Sequence, residues 1–158
     1  DLDGDGDGSL TGCDAYTAIP GPDCDNAIAT CTTDCSDGDS DGMMACAGDC
    51  NDGDDQVWSI PGEVRNLVFG ADKQTLSWAA PQSPGGVTLV YDTIRSGSPD
   101  GFLAGVCVES DDGADTQSVD PAPPATGAAY YYVVCAENTC GRGTAGFGDV
   151  ERQAAGCP

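Results

Sequence analysis

Residues 130–136 read Tyr130-Tyr131-Tyr132-Val133-Val134-Cys135-Ala136. Successive side chains of an extended strand point to opposite faces, so Tyr130, Tyr132, Val134 and Ala136 form one apolar row. Leu76-Ser77-Trp78 repeats the pattern, with Leu76 and Trp78 on one side and Ser77 on the other. These two rows are expected to meet in a common core. Trp78 and the three tyrosines are read as packing residues, since nothing polar in the sequence converges on them.

Working outward, short apolar runs separated by Gly, Pro and Asp clusters place strands at 64–69, 74–79, 87–94, 102–109, 116–119, 130–136 and 146–152. No stretch carries a helical period. Seven short strands between 61 and 158 predict an Ig-like β-sandwich. The chain as a whole is therefore expected to be mostly β, with an irregular region at 1–60 ahead of the sandwich at 61–158.

The first sixty residues differ sharply in chemistry. They hold 15 Asp and six Cys but no Lys, Arg or Glu. Their bulky apolar side chains are few and scattered: Leu2, Leu10, Tyr16, Ile19, Ile28, Met43, Met44, Val57, Trp58 and Ile60. So few cannot build an ordinary core, and order must come from bound ions and cross-links. Carboxylates about 4 Å apart repel by roughly 4 kcal/mol at an effective dielectric near 20, so the segment needs a cation to compact. Without one, it would be a solvated polyanionic tail.

The formal net charge of −22, from 27 acidic against 5 basic residues, excludes nucleic acid as a favourable partner. No apolar run is long enough to span a bilayer. The chain lacks an initial Met and begins inside an Asp/Gly pattern. It is thus expected to be a processed form or a piece of a longer protein, with any export signal already removed.

Two stretches carry metal chemistry. The first is Asp3-Gly4-Asp5-Gly6-Asp7-Gly8-Ser9-Leu10-Thr11-Gly12-Cys13-Asp14. Calcium takes six to eight hard oxygens, and alternate carboxylates at loop positions 1, 3 and 5 can converge on one ion. Gly8 permits the sharp turn, Ser9 offers its backbone carbonyl, and Asp14 closes the shell. The candidate ligands are Asp3, Asp5, Asp7, Ser9 and Asp14. The second stretch is Asp37-Gly38-Asp39-Ser40-Asp41-Gly42-Met43, followed by Gly48-Asp49-Cys50-Asn51-Asp52-Gly53-Asp54-Asp55. Its candidates are Asp37, Asp39, Asp41, the Met43 carbonyl and Asp49. Asp49 falls one position beyond the twelfth, so Asp52, Asp54 and Asp55 are candidates for completing this site or forming another. Several calcium ions are expected.

With Cys13-Asp14 closing the first loop, D-x-D-x-D-G resembles the thrombospondin type 3 repeats, in which calcium replaces a hydrophobic core. Asp37 through Asp52, ending in Pro61-Gly62-Glu63, resembles the metal-binding repeats of bacterial surface proteins of the MopE type. That type is associated with copper, but copper favours imidazole or soft sulfur and this chain has no His, so calcium is the better match. Leu76-Ser77-Trp78 with Pro81, and 130–136 with Asn138 and Gly141, resemble a fibronectin type III domain. Such modules space or bind; they do no catalysis. The four cysteines at 107, 135, 140 and 157 depart from that family.

Ten Cys without His read as disulfides formed in an oxidising compartment, and hence an extracellular or cell-surface protein. The weaker reading is zinc on Cys31, Cys35, Cys46 and Cys50, but carboxylates crowd those positions and secreted thiolates oxidise. Connectivity does not follow from sequence; the working pairing is Cys107 with Cys135 and Cys140 with Cys157.

Catalysis finds little support, since His-based triads are impossible and the acidic loops are too small and polar for a cleft. The expected function is a calcium-binding structural or assembly element, a rigidified spacer or fibre subunit contacting copies of itself or other surface proteins. The alternative is a calcium-dependent adhesin or carbohydrate-binding module.

Overall fold

The computed structural model describes residues 24, 25, 27–31, 34–113, 115–145 and 154–157. The chain divides into two compact units, Asp1–Ser59 and Ile60–Pro158.

The second unit is an Ig-like β-sandwich whose described residues form seven antiparallel strands: β1 (Arg65–Phe69), β2 (Thr75–Ala79), β3 (Val90–Ser96), β4 (Val106–Asp112), β5 (Gln117–Val119), β6 (Tyr131–Asn138) and β7 (Gly141–Arg142). They form a three-stranded sheet in the order β1-β2-β5 and a four-stranded sheet in the order β4-β3-β6-β7. The β1–β2 hairpin is closed by Asp72, whose carboxylate accepts from the Gln74 and Thr75 amides and the Thr75 hydroxyl.

Between the sheets lies a core that takes Leu76, Trp78, Val134 and Ala136 from the expected rows, with Tyr132 packed against it but not Tyr130, while Tyr131, read as a packing residue, is exposed. Leu76, Trp78, Leu89, Tyr91, Val134 and Ala136 are all buried, with Val64, Leu67 and Tyr132 packed around them. Trp78 meets Tyr91 edge-on at 5.5 Å, a favoured aromatic geometry.

The outer face of the four-stranded sheet is covered as well. Ile94, Phe102, Val133, Cys135 and Ala145 form a second buried cluster, against which Ala154 and Cys157 pack. The unbroken apolar run from Val133 to Ala136 has this cause: β6 is buried on both faces, so it shows no alternation there.

Several expectations are corrected. The strand placed at 102–109 is split: Phe102–Ala104 is a short 3-10 helix and β4 starts at Val106. The helix inserts Phe102 into the outer cluster, where it is buried. The strand placed at 87–94 starts at Val90 and runs on to Ser96, past an exposed Val87. The strand placed at 146–152 lies outside the described residues; the last described strand is β7.

The working pairing of Cys107 with Cys135 is also wrong. Cys107 is on β4 opposite Ile94, Cys135 is on β6 opposite Asp92, and β3 runs between them. Strands lie about 4.8 Å apart, so two strand spacings put the pair near 10 Å, beyond the reach of a disulfide. Cys107 bonds Cys157 instead, with Cα atoms 5.3 Å apart, and Cys135 is a buried free thiol. Cys140 is disulfide-bonded, but its expected partner Cys157 is taken.

The described part of the first unit is irregular. It holds one 3-10 turn, Ala45–Ala47, and the disulfides Cys24–Cys35 and Cys31–Cys46, and Cys50 is disulfide-bonded as well. Among its described hydrophobic residues only Cys31 and Val57 are buried. No described helix is long and apolar enough to cross a membrane.

Candidate metal centre

From Asp37 to Gly42 burial alternates: Asp37, Asp39 and Asp41 are half-buried, while Gly38, Ser40 and Gly42 are exposed. Left-handed backbone at Ser40 (φ 67°) and Gly42 (φ 95°) curls the chain so that the three carboxylates point inward. Gly42 occupies a conformation that costs little only without a Cβ.

Each carboxylate spends part of its accepting capacity on the loop itself. Asp37 accepts from the Ser40 amide at 2.6 Å and from the Gly42 amide at 3.1 Å. Asp39 accepts from the Asp41 amide at 3.1 Å, and Asp41 from the Met43 amide at 2.7 Å. The amide of Asp49 then bonds the Met44 carbonyl, and the Asp49 carboxylate accepts from the Asn51 amide.

What remains is a set of buried oxygens with no donor. Asp39 Oδ2, Asp41 Oδ2 and Asp49 Oδ2 are hidden from water and unbonded. One carboxylate oxygen each from Asp37, Asp39 and Asp41 lie within 4.8 Å of one another. Oxygens bound at 2.3–2.6 Å to a single calcium can be no more than about 4.6–5.2 Å apart, so the spacing fits one ion. Burial pushes Asp39 above the ordinary carboxylate range, and the charges of Asp41 and Asp49 push it further. The first sixty residues contain no basic side chain to offset this.

The remaining candidates fall around this cluster in different ways. Asp52 turns its carboxylate to the Gly38 amide at 2.7 Å, and its carbonyl sits where a Cβ on Gly38 would be. Only glycine allows the 49–54 segment to close over the loop. Asp54 accepts from the Gln56 amide, and Asp55, exposed, accepts from the Gln56 side chain. Met43 is half-buried at the end of the loop. Asp3, Asp5, Asp7, Ser9 and Asp14 lie outside the described residues. The close approach at Gly38 was not anticipated; the Asp-Gly pair alone signals a turn and gives no hint of a neighbouring backbone.

The zinc alternative is closed. Cys31, Cys35 and Cys46 are near one another, but they and Cys50 are all committed to disulfides, and a disulfide sulfur is not a thiolate ligand.

The tyrosine row also has polar company that the sequence did not reveal. Arg95 pairs with Asp120 at 2.7 Å, and its guanidinium lies over the Tyr130 ring at 4.4 Å. The Tyr132 hydroxyl donates to Asp120 at 2.8 Å. Burial raises Tyr132 to about 12, helped by the Asp120 charge. For Asp120, burial acts upward, but bonds from the Ala122 amide, Tyr132 and Arg95 outweigh it and hold the carboxyl below its ordinary value. Beside this network is an open cavity of about 330 Å³ lined by Phe69, Lys73, Gln74, Tyr130 and Pro121–Pro124, among others.

No family model matches this chain, and no curated protein does. Among solved structures it is similar to domains A168–A170 of titin, at 18% identity and a TM-score of 0.42, over 55% of this chain and 30% of that one.

Proposed function

We propose that this chain is an extracellular calcium-binding structural element, in which ions and disulfides take the place of a hydrophobic core in the first unit. The carrying observation is the convergence of Asp37, Asp39 and Asp41 beside donorless buried oxygens of Asp39, Asp41 and Asp49. Buried anionic oxygens without hydrogen bonds are costly unless a cation pairs with them.

Asp37, Asp39, Asp41 and Asp49 would hold the ion, with the Met43 carbonyl as the expected neutral donor. Bound calcium supplies two positive charges and tolerates the irregular oxygen cage that a turn of this kind offers, whereas magnesium demands near-ideal octahedral geometry at shorter distances. An all-oxygen set is a poor match for copper. The resemblance to thrombospondin type 3 repeats points to the same ion, the copper association of MopE-type repeats being set aside on ligand chemistry, and the resemblance to fibronectin type III fits a spacer. Three defined disulfides favour an oxidising compartment. Contact with copies of itself or with other surface proteins, and the lack of catalysis, follow from this reading.

The test is calcium titration by isothermal calorimetry on chelator-stripped protein. Stoichiometric binding that is lost in Asp39→Asn/Asp41→Asn supports the reading; absence of binding at millimolar calcium refutes it. A calcium-dependent adhesin or carbohydrate-binding module is the second reading, favoured by half-exposed Phe69 at the rim of the aromatic cavity. Calcium-dependent signals on a glycan array would select it.

A further inference from the structure

Three cysteines share the outer face of the four-stranded sheet. Cys107 on β4 stands opposite Ile94, and Cys135 on β6 opposite Asp92. The segment 154–157 lies across β3 between them. Its fixings are an Ala155 amide bond to the Phe102 carbonyl, Arg142 donating to the Ala154 and Ala155 carbonyls, and the Cys157 amide donating to Asp92 Oδ2 at 3.2 Å. Cys157 is bonded to Cys107 on one side. It also packs against the cluster containing the free thiol of Cys135 on the other. Asp92 is the common neighbour: it faces Cys135 across the ladder and binds the backbone of Cys157. Cys135 and Asp92 are directly paired on adjacent strands, with Cα atoms about 4.5–5.5 Å apart, so the carboxylate that holds the Cys157 amide belongs to the residue beside Cys135.

We infer that Cys157 is a two-position latch, able to bond Cys107 or Cys135 by internal thiol–disulfide exchange. The Cys135 thiol gives its proton to solvent, and its thiolate attacks Cys157 Sγ. The Cys107–Cys157 bond breaks, its electron pair leaves on Cys107 Sγ, and that sulfur takes up a proton. One disulfide and one thiol exist before and after, so no oxidant or reductant is consumed. The charged groups around the attacking sulfur are Arg142, Asp92 and Glu137, joined by Arg142 ion pairs at 3.6 Å and 3.0 Å. Burial pushes the Cys135 thiol up while the neighbouring guanidinium works against it, so exchange awaits a local opening of the 154–157 segment. Its outcome moves the reactive thiol from Cys135, 1% exposed, to half-buried Cys107 on an edge strand.

The experiment uses the oxidised full chain, incubated natively at pH 8 with iodoacetamide and no reductant, then acid-quenched and mapped by mass spectrometry without reduction. The expected result is label on Cys107 together with a Cys135–Cys157 linked peptide, both lost in Cys135→Ser. In oxidised glutathione, Cys107→Ala is expected to form the Cys135–Cys157 bond. Label confined to Cys135, no label at all, or Cys107 label that persists in Cys135→Ser overturns the latch. So does a Cys107→Ala protein that melts cooperatively yet leaves Cys157 reduced or glutathionylated. Should Cys107→Ala fail to fold, the Cys135→Ser comparison decides alone.

Discussion

Replacing Asp39 by Asn should change the stability of the first unit in opposite directions with and without calcium. In chelator the wild type carries a half-buried Asp39 beside the charges of Asp41 and Asp49; burial first, and then that repulsion, raise the Asp39 carboxyl. Asn removes one charge, retains a carbonyl oxygen to accept the Asp41 amide, and is expected to melt higher than wild type. In calcium the order reverses, because the ion loses an anionic ligand. A ligand at 100 times its Kd adds about 2.7 kcal/mol to the state it binds. For a unit of this size each kcal/mol moves Tm by about 4–8 °C, so calcium should raise the wild-type transition by roughly 10–20 °C. Differential scanning calorimetry of both proteins, in excess chelator and in millimolar calcium, reads all four values. If Asn lowers Tm in both conditions, or chelation leaves the wild-type transition in place, the convergent carboxylates are not a cation site.

Further outcomes follow from the same geometry. Gly38→Ala should push the 49–54 segment off the loop, because the new Cβ meets the Asp52 carbonyl; calorimetric titration should show weakened calcium binding while the sandwich transition stays unchanged. In the ion-free protein, raised Asp39 means the folded state holds its proton more tightly. That stabilisation is present below pH 3.8 and fades as pH rises through the raised value. Calcium uptake in that window should therefore release protons, seen as a buffer-dependent binding enthalpy. In the sandwich, Asp120 is held low, so its contribution is full above pH 3.8 and lost as pH falls below it. Tyr132 acts at the other end: its contribution holds up to pH 10 and is lost as pH rises towards about 12. Burial raises Tyr91 as well, so ultraviolet titration should find late-ionising tyrosines, of which only Tyr132 shifts back towards 10 in Asp120→Asn.

The inner core was legible because Leu76, Trp78, Val134 and Ala136 alternate with outward residues, and one buried face imposes a period of two. The outer cluster was hidden by the same logic, since Val133 and Cys135 fill the positions a solvated face would occupy. Phe102 read as part of a strand because a single buried aromatic carries no period. The second Asp loop announced itself through carboxylate spacing, which the ion's coordination dictates. Its closure by Asp49 and Asp52 depends on a backbone approach at Gly38 that no local pattern encodes. The Arg95–Asp120–Tyr132 network joins residues 25 and 12 positions apart, brought together only by the register of β3 with β6 and by the chain leaving β5.

The Cys107–Cys157 bond also decides how the sandwich would bear mechanical load. Tension arriving through residue 157 enters the fold at Cys107 on β4, because the covalent bridge bypasses the 50 residues between. At about 3.3–3.6 Å per residue, some 165–180 Å of chain is shielded from extension. Transfer of the bridge to Cys135 would shorten the shielded stretch to 22 residues and release roughly 100 Å of slack. Where the sulfur sits therefore sets how far the domain can stretch before a covalent stop is reached.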